Sequence, residues 1–153
     1  MKLWIKEVDE EDWRAVAGLE VGEDQKAFIE SNAFSMAESK YESNAASISL
    51  YDGEILIGYA MYGWYNEAEQ SIWLDRFMID RHFQGQGYAK RFIPVILEWM
   101  HNKHRYSKVY LSLHPDNEAA LRLYQSFGFK LNGEIDSEGP VVGVVMEASF
   151  SLK

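Results

Sequence analysis

Residues 71–104 run SIWLDRFMIDRHFQGQGYAKRFIPVILEWMHNKH, a strand-like segment, two glycines two apart, then a long apolar-periodic segment. No other stretch restricts the fold as much. SIWLDRFMI is rich in aromatic and β-branched residues and predicts a strand. AKRFIPVILEWMHNKH predicts a helix, with Pro94 in its first turns, where a missing N–H costs least. Between them Gly85 and Gly87, flanked by Gln84 and Gln86, stand at the mouth of that helix. Helix-entry N–H groups lack an intrahelical partner and the helix dipole adds partial positive charge, so an anion is stabilised there. Glycines let a ligand lie against bare backbone, with no Cβ in the way. Lys90 and Arg91 follow where acids are usual, an arrangement that suits a bound phosphate. The spacing G-x-G-x-A matches neither the dinucleotide fingerprint nor the P-loop. A phosphate cradle is expected, with a purely structural turn as the alternative.

The rest of the chain surrounds this unit. KLWIKEV predicts an opening strand, and DEEDWRAVAGLEV a helix with a stripe of Trp13, Val16, Ala17 and Leu19. EDQKAFIESNAFSMAESKYES predicts one or two short helices burying Phe28, Ile29, Phe34 and Met36. ASISLYD and EILIGYAMYGWY flank Asp52-Gly53, a hairpin signal. After the glycine unit, KVYLSLH predicts a strand and DNEAALRLYQSFG a helix, capped by Asp116 or Asn117 and stopped by Gly128. FKLNGEI and PVVGVVMEASF close the chain as strands around a turn near Ser137 to Pro140. The expected class is α+β, a mixed and mostly antiparallel sheet with helices on both faces. No repeat or linker divides the chain, so one domain over residues 1–153 is expected.

Composition narrows the function. The chain contains no cysteine, which excludes thiolate nucleophiles, disulfides and zinc–thiolate sites. His82, His101, His104 and His114 have no metal-binding spacing, and no metal is expected. No apolar run reaches the roughly 18 residues of a membrane helix, and the acidic N-terminal segment does not resemble a signal peptide, so a cytoplasmic protein is expected. The net charge of −9 is uneven, for residues 1–80 hold 17 acids against 6 bases. An acidic half disfavours nucleic acid and suits a cationic partner. Surface solubility accounts equally well for most of these acids.

The stretch QGQGYA, with LDRFMID before it and NEAALRLYQSFGF after it, resembles the Q/R-x-x-G-x-G/A signature and flanking segments of the Gcn5-related N-acetyltransferases. The likeness spans roughly residues 45–135. It implies a fold in which the strand before the glycine turn splays from a parallel neighbour, with acetyl-coenzyme A filling the gap. By position it implies cofactor contacts from Phe77, Met78 and Ile79 on the strand and from Gln84, Gly85, Gln86, Gly87, Tyr88 and Ala89 in the loop. Asn117 would hydrogen-bond the cofactor chain, and Tyr124 would stand near the thioester sulfur as a proton donor. A backbone N–H near Met78 or Ile79 would serve the oxyanion. For Tyr124 the plain alternative is packing beside Leu121 and Phe127, and for Asn117 it is helix capping.

Asp75 lies mid-strand among apolar and aromatic residues, where a lone buried carboxylate is very costly. Alternation along a strand sets Arg76 on the opposite side. Asp75 is therefore expected either to face the cleft and accept the amine proton, or to pair with a distant Arg or Lys. The whole chain further resembles bacterial diamine, spermine and spermidine acetyltransferases, through AFIESNAFSMAES, GYAMYG and WLDRFMID. That likeness implies a small polycationic amine as substrate. An acidic groove near Glu30, Glu38, Glu42 and Glu54, with Phe28, Tyr41, Trp64 and Tyr65 beside it, would receive the amine. Glu30, Glu38, Asp75 and Trp64 are the substrate-binding candidates, although glutamates on helices are more often solvated. A protein N-terminus, an aminoglycoside or an amino acid is the alternative substrate, and a coenzyme A sensor the non-enzymatic one. High aromatic content, with five tryptophans, suggests a homodimer contact.

Overall fold

The computed structural model describes residues 2–42, 44–139 and 141–150. Pro140, within the expected closing turn, lies outside the described residues. Strand β1 (Leu3–Glu7) leads to helices α1 (Trp13–Ala17) and α2 (Asn32–Tyr41). Strands β2 (Ala45–Asp52), β3 (Ile55–Asn66) and β4 (Ser71–Ile79) form an antiparallel meander. Helix α3 (Tyr88–Lys103) crosses over to β5 (Lys108–Leu113), and α4 (Glu118–Gln125) leads to β6 (Lys130–Asp136) and β7 (Gly143–Ser149). All seven strands join one sheet in the order β1-β2-β3-β4-β5-β7-β6. Among the described residues only β4 and β5 pair in parallel.

Strand β3 shows why both faces are covered. Ala60 and Tyr62 enter the larger core on one face, while Tyr59 and Met61 enter a smaller core on the other. Alternate side chains leave a strand on opposite sides, and here both sides are buried. Helix α3 packs Phe92, Ile93, Ile96 and Met100 into the larger core, a spacing that keeps them on one helical face. On the opposite face α1 contributes Val16, which is buried with Tyr59, Met61 and Met78.

Several expectations need correction. Phe34 and Trp13 are exposed: α1 is five residues long and turns only Val16 fully inward, and α2 buries Asn32 and Ser35 instead of Phe34. Helix α3 begins at Tyr88, which places Pro94 in its second turn, where the Lys90 carbonyl loses its amide partner. Both Pro94 and Lys90 are exposed, so water can satisfy that carbonyl. Among the described residues no helix is long and apolar enough to cross a membrane.

Candidate active site

The parallel pairing of β4 with β5 covers only Ser71, Ile72 and Trp73 against Lys108, Val109 and Tyr110. Beyond those pairs the strands diverge, and two cavities of about 480 and 490 Å³ fill the opening. Phe28, Ile29, Phe77, Asn117, Ala120 and Tyr124 line both, so they adjoin. The register also aims backbone groups into this gap. Asp80 donates its N–H to the Ile57 carbonyl on β3, and N–H groups alternate in direction along a strand, so Met78 also faces β3. The N–H groups of Phe77 and Ile79 therefore face away from β3, toward the gap. In agreement, the Ile79 carbonyl accepts from Gln84 Nε2 at 2.9 Å rather than from β3. Of Met78 and Ile79, only Ile79 therefore turns its N–H toward the gap.

One cavity is bounded by the glycine turn. Gln84, Gly85, Gly87, Tyr88, Ala89 and Lys90 line it together with Phe77, Met78 and Ile79. Gly85 (φ +79°) and Gly87 (φ +83°) are both left-handed, and Gly87 is the N-cap of α3. In that region an L side chain costs roughly 1–2 kcal/mol. The first-turn amides of α3 have no side-chain cap, and a Cβ built on Gly85 would meet nothing within 4 Å. Open space before uncapped amides at the positive end of a sixteen-residue helix is what a pyrophosphate requires. The side chains brace the turn from behind. Gln84 also donates to Gln25 Oε1 at 2.9 Å, Arg91 donates to the Gln86 carbonyl at 3.1 Å, and Tyr88 Oη donates to Asp52 Oδ2 at 2.6 Å. The Tyr88 hydroxyl holds the Asp52 carboxyl below its ordinary range, with the Lys2 amide assisting.

The other cavity is acidic. Glu30, Glu38, Glu42, Asp75, Asp136 and Glu138 line it, with Arg76 and His114 as the basic residues and Phe28, Trp64 and Trp73 as aromatic walls. Here Asp75 departs from expectation. Arg76 pairs with Met61 and Leu74 with Tyr62, so Asp75 is an extra residue on β4 opposite no partner, a β-bulge. A bulge breaks the alternation on which the separation of Asp75 from Arg76 rested. The Arg76 guanidinium consequently turns back to the Asp75 carboxylate, and also donates to Glu30 at 2.5 Å and Glu38 at 3.0 Å. Burial pushes the Asp75 carboxyl up to about 6 despite Arg76 beside it, and Glu38, Asp136 and Glu30 add to the rise. Burial likewise raises the Glu30 carboxyl, against the opposing pull of Arg76.

Tyr124 is buried, stands edge-on to Phe129 at 5.6 Å and lines both cavities, so packing and access to the gap coexist. Burial raises its phenol well above the ordinary value, which keeps the proton on Oη at neutral pH. The end of α4 fixes its position: Phe129 N–H bonds the Tyr124 carbonyl and Gly128 N–H bonds the Gln125 carbonyl, a Schellman closure. Asn117 caps the start of α4, its Oδ1 accepting from the Ala120 amide at 3.2 Å. Its Nδ2 has no protein partner among the described residues, and Asn117 borders both cavities.

Other sequence candidates fall elsewhere. Glu54 lies in the β2–β3 turn, Tyr41 is almost fully exposed, and Tyr65 stacks on His104 and donates to the Arg105 carbonyl; none lines the acidic cavity. Trp64 does line it. Asp136, Glu138, Ser112 and His114 border the cavity without having been singled out from the sequence. Asp136 accepts from Ser112 Oγ at 2.9 Å, and the His114 ring packs tilted against Phe28, with centroids 4.8 Å apart. The acidic run EIDSEG was the available signal, but only the β6–β5 neighbourhood across β7 brings it to the gap.

Comparison with known proteins agrees with this geometry. Residues 6–129 match the model of the acetyltransferase (GNAT) family. The chain is 35% identical over 149 residues to a probable spermine N(1)-acetyltransferase of Bacillus subtilis subsp. natto (strain BEST195), which covers 94% of this chain and 98% of that relative. It is 34% identical over 149 residues to the spermine/spermidine N(1)-acetyltransferase of Bacillus subtilis (strain 168), with the same coverage. Among solved structures, spermidine N-acetyltransferase from Vibrio cholerae in complex with CoA and spermine has a TM-score of 0.75 at 21% identity, over 97% of this chain and 95% of that one. The ribosomal-protein-S18-alanine N-acetyltransferase from Escherichia coli has a TM-score of 0.71 at 18% identity, over 99% and 96%. These two structures share the fold. The chain belongs to the GNAT family and is an acetyl-CoA-dependent N-acetyltransferase.

Proposed function

We propose that this enzyme acetylates a primary amine of a small polyamine, spermidine, spermine or a diamine, by direct attack in a ternary complex. The observation that carries this reading is the six-carboxylate cavity opening beside the glycine turn at Phe77, Asn117 and Tyr124. A polyamine is a flexible polycation, and carboxylates interleaved with aromatic rings suit both its ammonium groups and its methylene segments. The names of both Bacillus relatives support the same substrate class.

Bound acetyl-coenzyme A supplies an activated thioester carbonyl. The amides of the turn at residues 84–89 would hold its pyrophosphate, and Phe77, Met78, Ile79 and the Asn117 Nδ2 donors would flank its chain. An ammonium group must lose a proton before its nitrogen can attack. Asp75, ionised above about pH 6 and lining the acidic cavity, accepts that proton directly or through water. The Ile79 N–H facing the gap would donate to the thioester oxygen. Tyr124 Oη, protonated at neutral pH, would supply a proton to the thiolate sulfur. Asp75 and Tyr124 are the catalytic residues of this proposal.

We further propose a cytoplasmic homodimer. The β6 edge carries exposed Leu131 and Ile135, with exposed Val142 nearby in the chain, a surface that a second copy would cover; of the tryptophans, Trp4 and Trp13 are the exposed ones. Thiol release from acetyl-coenzyme A, followed across polyamines, a peptide N-terminus, an aminoglycoside and amino acids, tests the substrate. Turnover with polyamines is expected, and turnover confined to the other amines contradicts the proposal.

A further inference from the structure

Arg76 is the most confined cation of the acidic cavity. Its side chain is 7% exposed, and its Nε is buried without a hydrogen-bond partner among the described residues. An arginine carries five donors on a planar fork, and a buried donor left unpaired is costly. The fold accepts that cost while aiming both Nη atoms at carboxylates from three places: Glu30 in the segment before α2, Glu38 on α2, and Asp75 in the bulge of β4. Several carboxylates converging on one buried cation is also the environment that a substrate ammonium needs. The guanidinium is thus seated where the cavity could otherwise take one more positive charge from the amine.

We propose that Arg76 is a resident cation that sets how many positive charges the amine substrate carries. It pairs with Glu30, Glu38 and Asp75, and leaves Glu42, Asp136 and Glu138 to the ammonium groups that enter. Glu30 and Glu38 then act on the substrate through Arg76 and are positioning residues. This inference rests on the polyamine reading above. Without the guanidinium, Glu30 and Glu38 stand uncompensated, and a more highly charged amine replaces the missing cation. Asp75 loses its charge partner at the same time, so overall turnover falls while the ranking of amines changes. A purely structural arginine would lower turnover for every amine in proportion and leave the ranking intact.

The test compares kcat/KM for spermine, with four amino groups, against cadaverine, with two, in the unsubstituted enzyme and in Arg76→Met and Arg76→Lys. In Arg76→Met the spermine-to-cadaverine ratio is expected to rise by about tenfold or more, and in Arg76→Lys to stay within about threefold of the original. The rise in unfolding temperature on adding spermine without cofactor is expected to be larger for Arg76→Met than for the unsubstituted enzyme, a readout that survives low activity. Arg76→Gln keeps amide donors for the carboxylates but no charge, and carries the same predictions should Arg76→Met fail to fold. A ratio unchanged in Met and Gln variants whose turnover falls equally for all amines overturns the role of Arg76 and leaves the polyamine reading standing. No polyamine turnover by the unsubstituted enzyme overturns both.

Discussion

The proposed cofactor side of the cleft centres on one run of chain, residues 77–89, and would work largely through main-chain amides. The amine side is assembled from side chains at positions 30, 38, 42, 75, 136 and 138, carried by the segment before α2, by α2 and its end, by β4, and by β6 and the turn after it. Backbone recognition of a pyrophosphate needs a conformation, and two left-handed glycines with an uncapped helix would supply it. Recognition of an amine needs charges in number and place, which any fold can supply only by bringing distant residues together. The first half therefore tolerates little change at two glycines and much change elsewhere. The second half is adjustable one carboxylate at a time.

That contrast sets the scale of the effects expected from breaking each half. The largest falls where the halves meet. Asp75→Asn is expected to lower kcat/KM by about 10²–10⁴-fold, the range of a general base, and to remove a limb of the pH–rate profile. That limb follows from the raised carboxyl: below about pH 6 Asp75 is protonated and cannot accept the amine proton, so activity climbs as pH rises through about 6. A profile from pH 5 to 8 at saturating cofactor checks both statements. The same carboxyl affects stability in the opposite sense. Its folded value lies above the ordinary 3.8, so the folded protein binds the extra proton between about pH 4 and 6 and loses that contribution as pH rises through the window.

Next in size, Tyr124→Phe is expected to lower kcat by about 10²-fold while leaving KM for both substrates nearly unchanged, because the ring still packs on Phe129 and only the proton is lost. Steady-state kinetics with a solvent-accessible thiol reagent separates these parameters. Gly85→Val probes the cofactor half alone. It is expected to raise KM for acetyl-coenzyme A by about tenfold or more with little change in KM for spermidine, and to cost roughly 1–2 kcal/mol of stability for the left-handed backbone. The smallest effect belongs to the rim of the amine half. Asp136→Asn keeps a hydrogen-bonding partner for Ser112 and removes one charge, so KM for spermidine is expected to rise by about three- to tenfold with kcat nearly unchanged.

The same contrast decides what the sequence could reveal. The order of elements and the glycine turn were legible because each rests on local pattern: period-two runs, Gly85 and Gly87 before an amphipathic helix, Asn117 and Gly128 bracketing α4; the parallel β4–β5 pair came from the family resemblance. Tyr124 and residues 77–79 were carried over by position from the family resemblance, and all four line the gap. The amine half was only partly legible. Glu30, Glu38, Asp75 and Trp64 do line the acidic cavity, but Asp136 and Glu138 reach it through sheet order, which no local pattern encodes. Arg76 was misjudged for a sharper reason: strict alternation separates it from Asp75, and a single extra residue in β4 cancels that rule. Phe34 was misplaced because the inward face of a short helix depends on neighbours that the sequence does not display, and Pro94 because it falls beyond the first four helical positions, where N–H groups lack intrahelical partners, although the helix starts within one residue of expectation.

A crystal structure with coenzyme A and spermidine bound together is the most direct test of a cleft with one main-chain half and one carboxylate half. The account predicts pyrophosphate oxygens within hydrogen-bonding distance of amides in residues 84–89, one amine nitrogen beside Asp75, and the distal ammonium groups against carboxylates such as Asp136 or Glu138. A pyrophosphate bound away from the Gly85–Gly87 turn, or a polyamine lying outside the cavity that Asp75 lines, would contradict it.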